Sequence, residues 1–218
     1  MIEDKPTHAV IKSVFKEVVS ITHNINVECW ANCGTLLRII RGDDMLTNGA
    51  DIDMVTLKGP LNLRERGVFL RAMNASGYRS CSTRSKLTFF KDGVKVDIWY
   101  LSQNGDVASR VKWEPNTFLS KIVYKIASLR CLAGNPFWLA GVVEESFNRL
   151  LQHLGARKYV FSVPARYVKS FKRIPYEDIS VLVPEDAEGY LEYRYGEDWR
   201  TPKGGWDHIR DDAAWSVI

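Results

Sequence analysis

The sequence contains no apolar run near the length that a membrane-spanning helix requires, which is about 20 residues. Its first residues, Met1 to Pro6, are acidic and polar. A secretory signal instead combines a basic start with an apolar segment. We therefore expect a cytoplasmic protein with no membrane span.

Cysteine is scarce, and the residues present are not clustered. The four cysteines are Cys29, Cys33, Cys81 and Cys131. They form no Cys-x-x-Cys pair and no Cys/His cluster, so a zinc site is not expected. Cys29 and Cys33 are interpreted as small buried residues of a reduced protein rather than as a bridge.

Charge of one sign is also limited, with a net charge of +4 over 218 residues. This balance suits an anionic substrate but is far from that of a dedicated nucleic-acid binder, so we expect no nucleic-acid partner. The 45% hydrophobic and 26% charged residues are typical of a globular protein that buries a full core.

The first hundred residues predict a small mixed β-sheet with helices packed on it. Apolar periodicity predicts helices over 7–22 and 62–76, with a further helical turn over 36–40. Strands are predicted over 27–31, 51–57, 87–90 and 94–100. The Asp92-Gly93 pair between the last two strands is a strong hairpin signal.

The remaining residues predict a region that is mainly helical. Helices are predicted over 116–132, 138–154 and 185–195, and short strands and turns lie between 159 and 183. We therefore predict an α+β fold, with a core over residues 1–101 and a helical C-terminal region over 102–218 that packs on the core and closes its site.

Three aspartates lie on strand-like segments. Asp51 and Asp53 are two residues apart, so both carboxylates point to one face of a strand. Asp97 lies on the strand over 94–100, and neighbouring strands would bring all three together. Carboxylates at one point repel each other unless a hard cation such as Mg²⁺ joins them. The alternatives are a solvent-facing strand edge for Asp51 and Asp53, and burial against Lys95 or an arginine for Asp97.

A Gly34-Thr35 turn lies between the first two strands. Its backbone N–H groups and hydroxyl are suited to bind phosphate oxygens, although a plain tight turn has the same sequence. Carboxylates, a divalent metal and a phosphate-binding turn together indicate transfer of a phosphoryl or nucleotidyl group.

Three blocks of the chain resemble the LicD/fukutin family of phosphotransferases, in the family's order and spacing. The first runs from Gly34-Thr35-Leu36-Leu37 to Asp51-Ile52-Asp53, and the second covers Gly93 to Trp99. The third runs from Val183-Pro184 to Tyr195-Gly196-Glu197-Asp198 and ends at Thr201-Pro202. The resemblance implies a nucleotidyltransferase-type fold.

The resemblance also implies roles for individual residues. The implied catalytic residues, which are also ligands of Mg²⁺ or Mn²⁺, are Asp51, Asp53 and Asp97. The implied substrate-binding residues are Gly34, Thr35, Arg41, Tyr195, Gly196 and Asp198. Arg41 would contact phosphate, and the Tyr195 block is interpreted mainly as closure of the site, with direct substrate contact as the alternative.

The implied activity is transfer of a phospho-linked head group, such as phosphocholine or alditol phosphate. The donor would be CDP-activated and the acceptor a hydroxyl of a glycan or lipid-linked saccharide, with the enzyme peripheral at the inner membrane face. The alternatives are a nucleotidyltransferase acting on a small molecule or protein, and a non-catalytic nucleotide-binding relative. Gly49 and Ala50, where family members often carry an acid, motivate the non-catalytic alternative. Arg38 replaces a family glycine and is interpreted either as a surface charge or as a cation beside the phosphate turn.

Overall fold

The computed structural model describes residues 6–43, 51–57, 63–83, 85–132 and 140–218. The family departure at Gly49 and Ala50 lies outside these residues. The first half contains α1 (His8–Asn24), β1 (Trp30–Ala31), α2 (Cys33–Arg41), β2 (Asp51–Thr56), α3 (Leu63–Ala75), β3 (Arg79–Ser82), β4 (Lys86–Lys91) and β5 (Val94–Tyr100). These elements confirm the predicted mixed sheet with helices.

The five strands of this half form one sheet in the order β1-β2-β5-β4-β3. Only the central β2–β5 pair is parallel, and each of the other neighbours is antiparallel. The predicted hairpin joins β4 to β5, with positive φ angles of 51° at Asp92 and 75° at Gly93. Such angles suit a tight hairpin turn whose twist matches that of its strands.

Helix α1 forms because its apolar residues recur on one face and Thr7 caps its start. The Thr7 hydroxyl accepts a hydrogen bond from the Val10 N–H at 3.4 Å. Ile11, Phe15 and Val18 of this helix are each no more than 1% exposed. Burial of this stripe holds α1 against the sheet.

The second half is mixed rather than mainly helical. It contains β6 (Ser102–Asn104), β7 (Val107–Glu114), α4 (Phe118–Leu132), α5 (Ala140–His153), β8 (Arg157–Pro164), β9 (Phe171–Tyr176), β10 (Ile179–Pro184), α6 (Ala187–Tyr195) and β11 (Trp215–Val217). Four of the strands form a sheet in the order β11-β8-β7-β6, and β9 pairs with β10. The expectation of a helical C-terminal half is thus corrected, because antiparallel pairing of β7 with β8 organises much of this region.

The buried core runs continuously across residue 101, where the sequence predicts a boundary. Trp30 of β1 packs on Phe171 of β9 with ring centroids 4.4 Å apart. Trp99 of β5 packs edge-on against Phe161 of β8 at 5.6 Å. These contacts join both halves in one hydrophobic cluster.

Among the described residues, no helix combines the length and the apolar character that crossing a membrane requires. Cys29 and Cys33 are free thiols, as predicted. Cys81, in contrast, is disulfide-bonded, which corrects the expectation of a fully reduced protein.

Candidate active site

The two faces of the central strands differ sharply in chemistry. Ile52, Val96 and Ile98 point to one face and are fully buried. The register pairs Asp53 with Asp97 and Asp51 with Lys95 across the parallel β2–β5 ladder. Because side chains alternate along a strand, these four charged residues share the other face. The predicted convergence of the aspartates on neighbouring strands is confirmed.

Asp97 is buried and pairs with lysines, which agrees with the alternative prediction of burial against Lys95. Its Oδ2 atom lies 2.8 Å from the Lys86 Nζ atom and 3.1 Å from the Lys95 Nζ atom. Its Oδ1 atom accepts a hydrogen bond from the Thr88 hydroxyl at 2.6 Å. Burial alone would raise the pKa of Asp97, but the two ammonium groups and Thr88 keep it below its ordinary value. The carboxylate is therefore ionised and locally neutralised.

Asp53 is compensated only in part, because Lys95 and Lys86 lower its pKa by charge alone and make no ion pair with it. Its backbone N–H donates to the Thr35 hydroxyl at 2.9 Å. Within the described part of the chain, however, its carboxylate has no hydrogen bond or ion pair. Burial, and then the charge of Asp97, raise the pKa of Asp53 to about 6.

The donor set around Asp53 is compatible with a divalent cation. Asp51 lies on the same face, its side chain is 58% exposed, and Lys95 contacts its Oδ2 atom at 2.9 Å. Its other oxygen and the unpaired Asp53 carboxylate are hard oxygen donors of the kind that Mg²⁺ and Mn²⁺ prefer. In the described ranges, no group of three or more acidic, histidine or cysteine side chains is arranged to hold a metal ion. The expected Asp51, Asp53 and Asp97 triad remains a prediction.

The start of α2 lies directly beside Asp53. Asn32 precedes the helix, and its backbone N–H donates to the Asp53 carbonyl at 3.0 Å. The first N–H groups of a helix lack partners within it and form a positive end that favours anions. Cys33 and Gly34 at this end line a cleft that Asp53 also lines.

Thr35 does not contribute in the way the sequence predicts. Its side chain is fully buried, and its hydroxyl accepts the Asp53 N–H. A fully buried hydroxyl cannot reach a bound phosphate, so Thr35 instead joins α2 to β2. Helix α2 begins at Cys33, so Gly34 and Thr35, which were predicted to form a turn, lie in its first turn.

Both arginines of α2, Arg38 and Arg41, line the cleft. The Arg41 guanidinium donates to the backbone carbonyl of Trp199, and to that of Thr201 at 3.4 Å. Arg41 therefore anchors the segment after α6. The N–H groups used in these bonds are not available to bind phosphate. Arg38 lines the cleft, and a Cβ placed on Gly34 would lie 3.6 Å from its guanidinium. Arg38 is thus the cation beside the helix start, which the sequence left open.

A buried network behind α2 was not predicted. The Arg194 guanidinium pairs with Asp212 at 2.5 Å, and both side chains are 1% exposed. Arg194 also donates to the Asn32 Oδ1 atom at 2.9 Å, as does the Tyr190 hydroxyl. The network fixes the residue that precedes α2, and no periodicity in the sequence signals it.

Part of the predicted third block lines the cleft. Tyr195 lines the cleft, and its ring lies 5.1 Å from that of Trp206. Gly196 ends α6 with a φ of 86°, and Asp198 pairs with Lys203 at 2.7 Å. Gly196 and Asp198 do not line the cleft, whereas Trp199 and Thr201 of the same segment do, so both closure and substrate contact by this block remain predictions.

The cleft has a volume of about 750 Å³, which suits a small-molecule ligand. Asp53 and Arg38 line one side. Aromatic residues are prominent around the remainder, namely Trp99, Tyr195, Trp199, Trp206 and Trp215. A ligand here would meet a helix start, a cation, a carboxylate and aromatic rings.

Comparison with known proteins leaves the family open. No family model matches the chain, and no curated protein matches it. The chain is loosely similar to the solution structure of the antibiotic-resistance factor ANT(2'')-Ia, with 9% identity, a TM-score of 0.40, and coverage of 67% of this chain and 91% of that one. It is also loosely similar to the crystal structure of ANT(2'')-Ia with adenylyl-2''-tobramycin, with 11% identity, a TM-score of 0.36, and coverage of 65% and 95%. Overlaps at this level carry no inference, so functional assignment depends on the site itself.

Proposed function

We propose that the chain is a metal-dependent transferase that moves a phosphorus-containing group from a nucleotide-activated donor to an acceptor hydroxyl. The observation that carries this proposal is the pairing of Asp53 with Asp97 on adjacent parallel strands, beside the start of α2. Asp53 and the start of that helix line the same cleft. This arrangement combines oxygen donors for a cation with a positive helix end for an anion.

Asp51 and Asp53 would hold Mg²⁺ or Mn²⁺, with Asp97 behind them. When bound, the cation would neutralise the charge that develops on the donor phosphates. The pKa of Asp53 is raised to about 6 because burial and then the charge of Asp97 outweigh the opposing charges of Lys95 and Lys86. A cation would supply a counter-ion and favour the ionised form of Asp53.

The donor phosphates would bind at the start of α2. The backbone N–H groups of Cys33 and Gly34 would donate to phosphate oxygens, and the Arg38 guanidinium would add a positive charge. No side chain at position 34 obstructs the approach, because glycine has no Cβ. The aromatic wall would cover the rest of the donor and exclude water.

The family resemblance favours a CDP-activated donor and a glycan or lipid-linked saccharide acceptor. In that reaction the acceptor oxygen forms a bond to the phosphorus of the head group, the bond to CMP breaks, and the hydroxyl proton is released. The same site geometry would serve nucleotidyl transfer to a small molecule or protein, in which pyrophosphate leaves. The mass of the product distinguishes these reactions.

The test is a screen of CDP-choline, CDP-alditols and nucleoside triphosphates for Mn²⁺-dependent thermal stabilisation, followed by product mass analysis. A ligand that binds the native state raises its melting temperature by mass action. We expect metal-dependent stabilisation by a CDP-linked donor, together with CMP release and a phospho-linked head group on the acceptor. A nucleoside monophosphate on the acceptor would instead establish nucleotidyl transfer.

Asp53→Asn and Asp106→Asn form a matched pair for this screen. The Asp106 side chain is fully exposed and does not line the cleft. We expect Asp53→Asn to abolish metal-dependent stabilisation and Asp106→Asn to preserve it. If no ligand stabilises the wild type in a metal-dependent way, the proposal is wrong and the non-catalytic alternative is favoured.

A further inference from the structure

The Lys95 ammonium lies between two of the three carboxylates. Its Nζ atom is 2.9 Å from the Asp51 Oδ2 atom and 3.1 Å from the Asp97 Oδ2 atom. A cation that bridged these strands would occupy the same region. The parallel register places Lys95 directly across from Asp51, so the strand geometry itself fixes this position.

Asp97 has little capacity left for a metal ion. Its Oδ2 atom contacts the ammonium groups of both Lys86 and Lys95, and its Oδ1 atom accepts the Thr88 hydroxyl. A carboxylate oxygen offers about two lone pairs, so the Oδ2 atom is fully used. A divalent cation at Asp97 would also face two positive charges at close range.

Asp53 differs from Asp97 in each of these respects. Its carboxylate has no ion-pair partner among the described residues, and it lines the cleft. Asp51 keeps one oxygen outside its contact with Lys95. The available oxygen donors are therefore on β2, and the ammonium groups are on β4 and β5.

We infer that the site holds a single divalent cation on Asp51 and Asp53, and that Lys95 supplies the second positive charge with support from Lys86. This inference rests on the proposed function. Two-metal sites place their ions about 3.5–4 Å apart to neutralise charge on both sides of a phosphoryl group. Here Lys95 provides one of those charges as a permanent part of the chain and acts as a positioning residue for Asp97 and Asp51.

The stoichiometry of Mn²⁺ binding tests the inference. Free Mn²⁺ is measured by electron paramagnetic resonance during titration of the full chain, with and without CDP. We expect one Mn²⁺ per chain in the wild type. In Lys95→Met we expect a second ion, bound at least about tenfold more tightly than any second ion in the wild type, because a repelling charge is removed and two carboxylates are released.

Three further variants control for charge, folding and position. Lys95→Arg keeps the charge and should bind one ion. Lys95→Gln removes the charge but keeps a donor, and it replaces the Met variant if that variant does not fold. Lys91→Met removes a lysine of similar exposure that pairs with Glu17 at 2.7 Å, and it should leave the stoichiometry at one.

The outcomes separate the inference from the proposed function. Two ions of similar affinity in the wild type would overturn the inference and leave the proposed function standing. Binding by Lys95→Met that matches the wild type would overturn it as well. Absence of any Mn²⁺ binding by the wild type would overturn both.

Discussion

Two clusters hold charged side chains away from water, one around Arg194 and one beside the cleft around Asp53. Only in the Arg194 cluster does every charge have an oppositely charged partner. Arg194 faces Asp212 and also bonds Asn32, so each charge has a partner. In the second cluster, Lys86 and Lys95 serve Asp97 and Asp51, while the Asp53 carboxylate has no partner among the described residues. A fully paired cluster organises structure, whereas an unpaired carboxylate in a cleft is available for a ligand.

Removing one member of the balanced cluster should have the largest effect on stability. Arg194→Met leaves Asp212 buried without its counter-ion, and we expect a loss of about 3–5 kcal/mol in the free energy of unfolding, measured with urea. Arg200→Met is the control, because its pair with Glu188 is more than half exposed, at 55% and 65%. We expect about 0.2–1 kcal/mol for that exposed pair. Equal losses in the two variants would remove the distinction between the clusters.

Removing the unpaired carboxylate should lower activity without a loss of stability. We expect Asp53→Asn to lower kcat/KM for the donor by about 100-fold or more. The variant would hold the divalent cation poorly, and the cation is what would neutralise charge at the reacting phosphate. The measurement is product formation with saturating Mn²⁺, compared with Asp106→Asn. A variant that retains wild-type kcat/KM would show that Asp53 is not part of the site.

The same substitution should change how stability depends on pH. Burial and Asp97 raise the pKa of Asp53 to about 6, so the folded state binds a proton more readily than the unfolded state. The wild type therefore gains stability from this group as the pH falls from above 6 to the unfolded pKa of Asp53, which is 3.8. It loses that stability as the pH rises through 6. Near pH 7 we expect Asp53→Asn to be more stable by up to about 3 kcal/mol.

Urea unfolding in the presence of a chelator measures this difference across the pH range. The advantage of Asp53→Asn should shrink as the pH falls from 6 towards 4 and approach zero only below the unfolded pKa of 3.8, where the wild-type carboxyl is protonated in both states. A difference that does not vary with pH would mean that Asp53 has an ordinary pKa in the folded protein.

The smallest expected effect on stability is that of a methyl group at the start of α2. In Gly34→Ala the new Cβ would lie 3.6 Å from the Arg38 guanidinium, an ordinary contact. We expect stability to change by no more than about 1 kcal/mol. Donor binding should weaken by about tenfold, since the methyl lies where phosphate would approach the backbone.

Gly204→Ala is the matched control for this change. Gly204 also lines the cleft, and nothing lies within 4 Å of a Cβ at that position. Calorimetry with Mn²⁺ and CDP compares the two variants. Equal affinities would indicate that the start of α2 does not contact the donor.

The sequence was most informative where local chemistry determines structure. Asp92-Gly93 specified its hairpin, and the alternation around Asp53 and Asp97 specified their common face. Strand β7 was not predicted because some of its apolar residues are exposed and a charged residue is buried. Val107 and Val111 are 45% and 41% exposed, while Arg110 is buried. Period-two patterns predict strands only when apolar residues lie inside.

The site was only partly predictable for a related reason. The aspartates could be placed on one face, but the partners of Asp97 depend on which strand lies beside β5. Lys86 reaches Asp97 because β4 pairs with β5, and nothing near Asp97 in sequence indicates this ion pair. The bond from Arg194 to Asn32 joins residues 162 positions apart. Such contacts follow from tertiary packing alone.

That separation in sequence has a consequence for how the protein is made. Asn32 is positioned by Arg194, whose charge is balanced by Asp212. A nascent chain that has emerged only through β5 would already contain Asp51, Asp53 and Asp97, yet would lack the residues that fix the start of α2. Contacts across so many residues form late because closing a long loop costs entropy. The start of α2, where the donor is proposed to bind, should therefore mature only after Arg194 and Asp212 have emerged during synthesis.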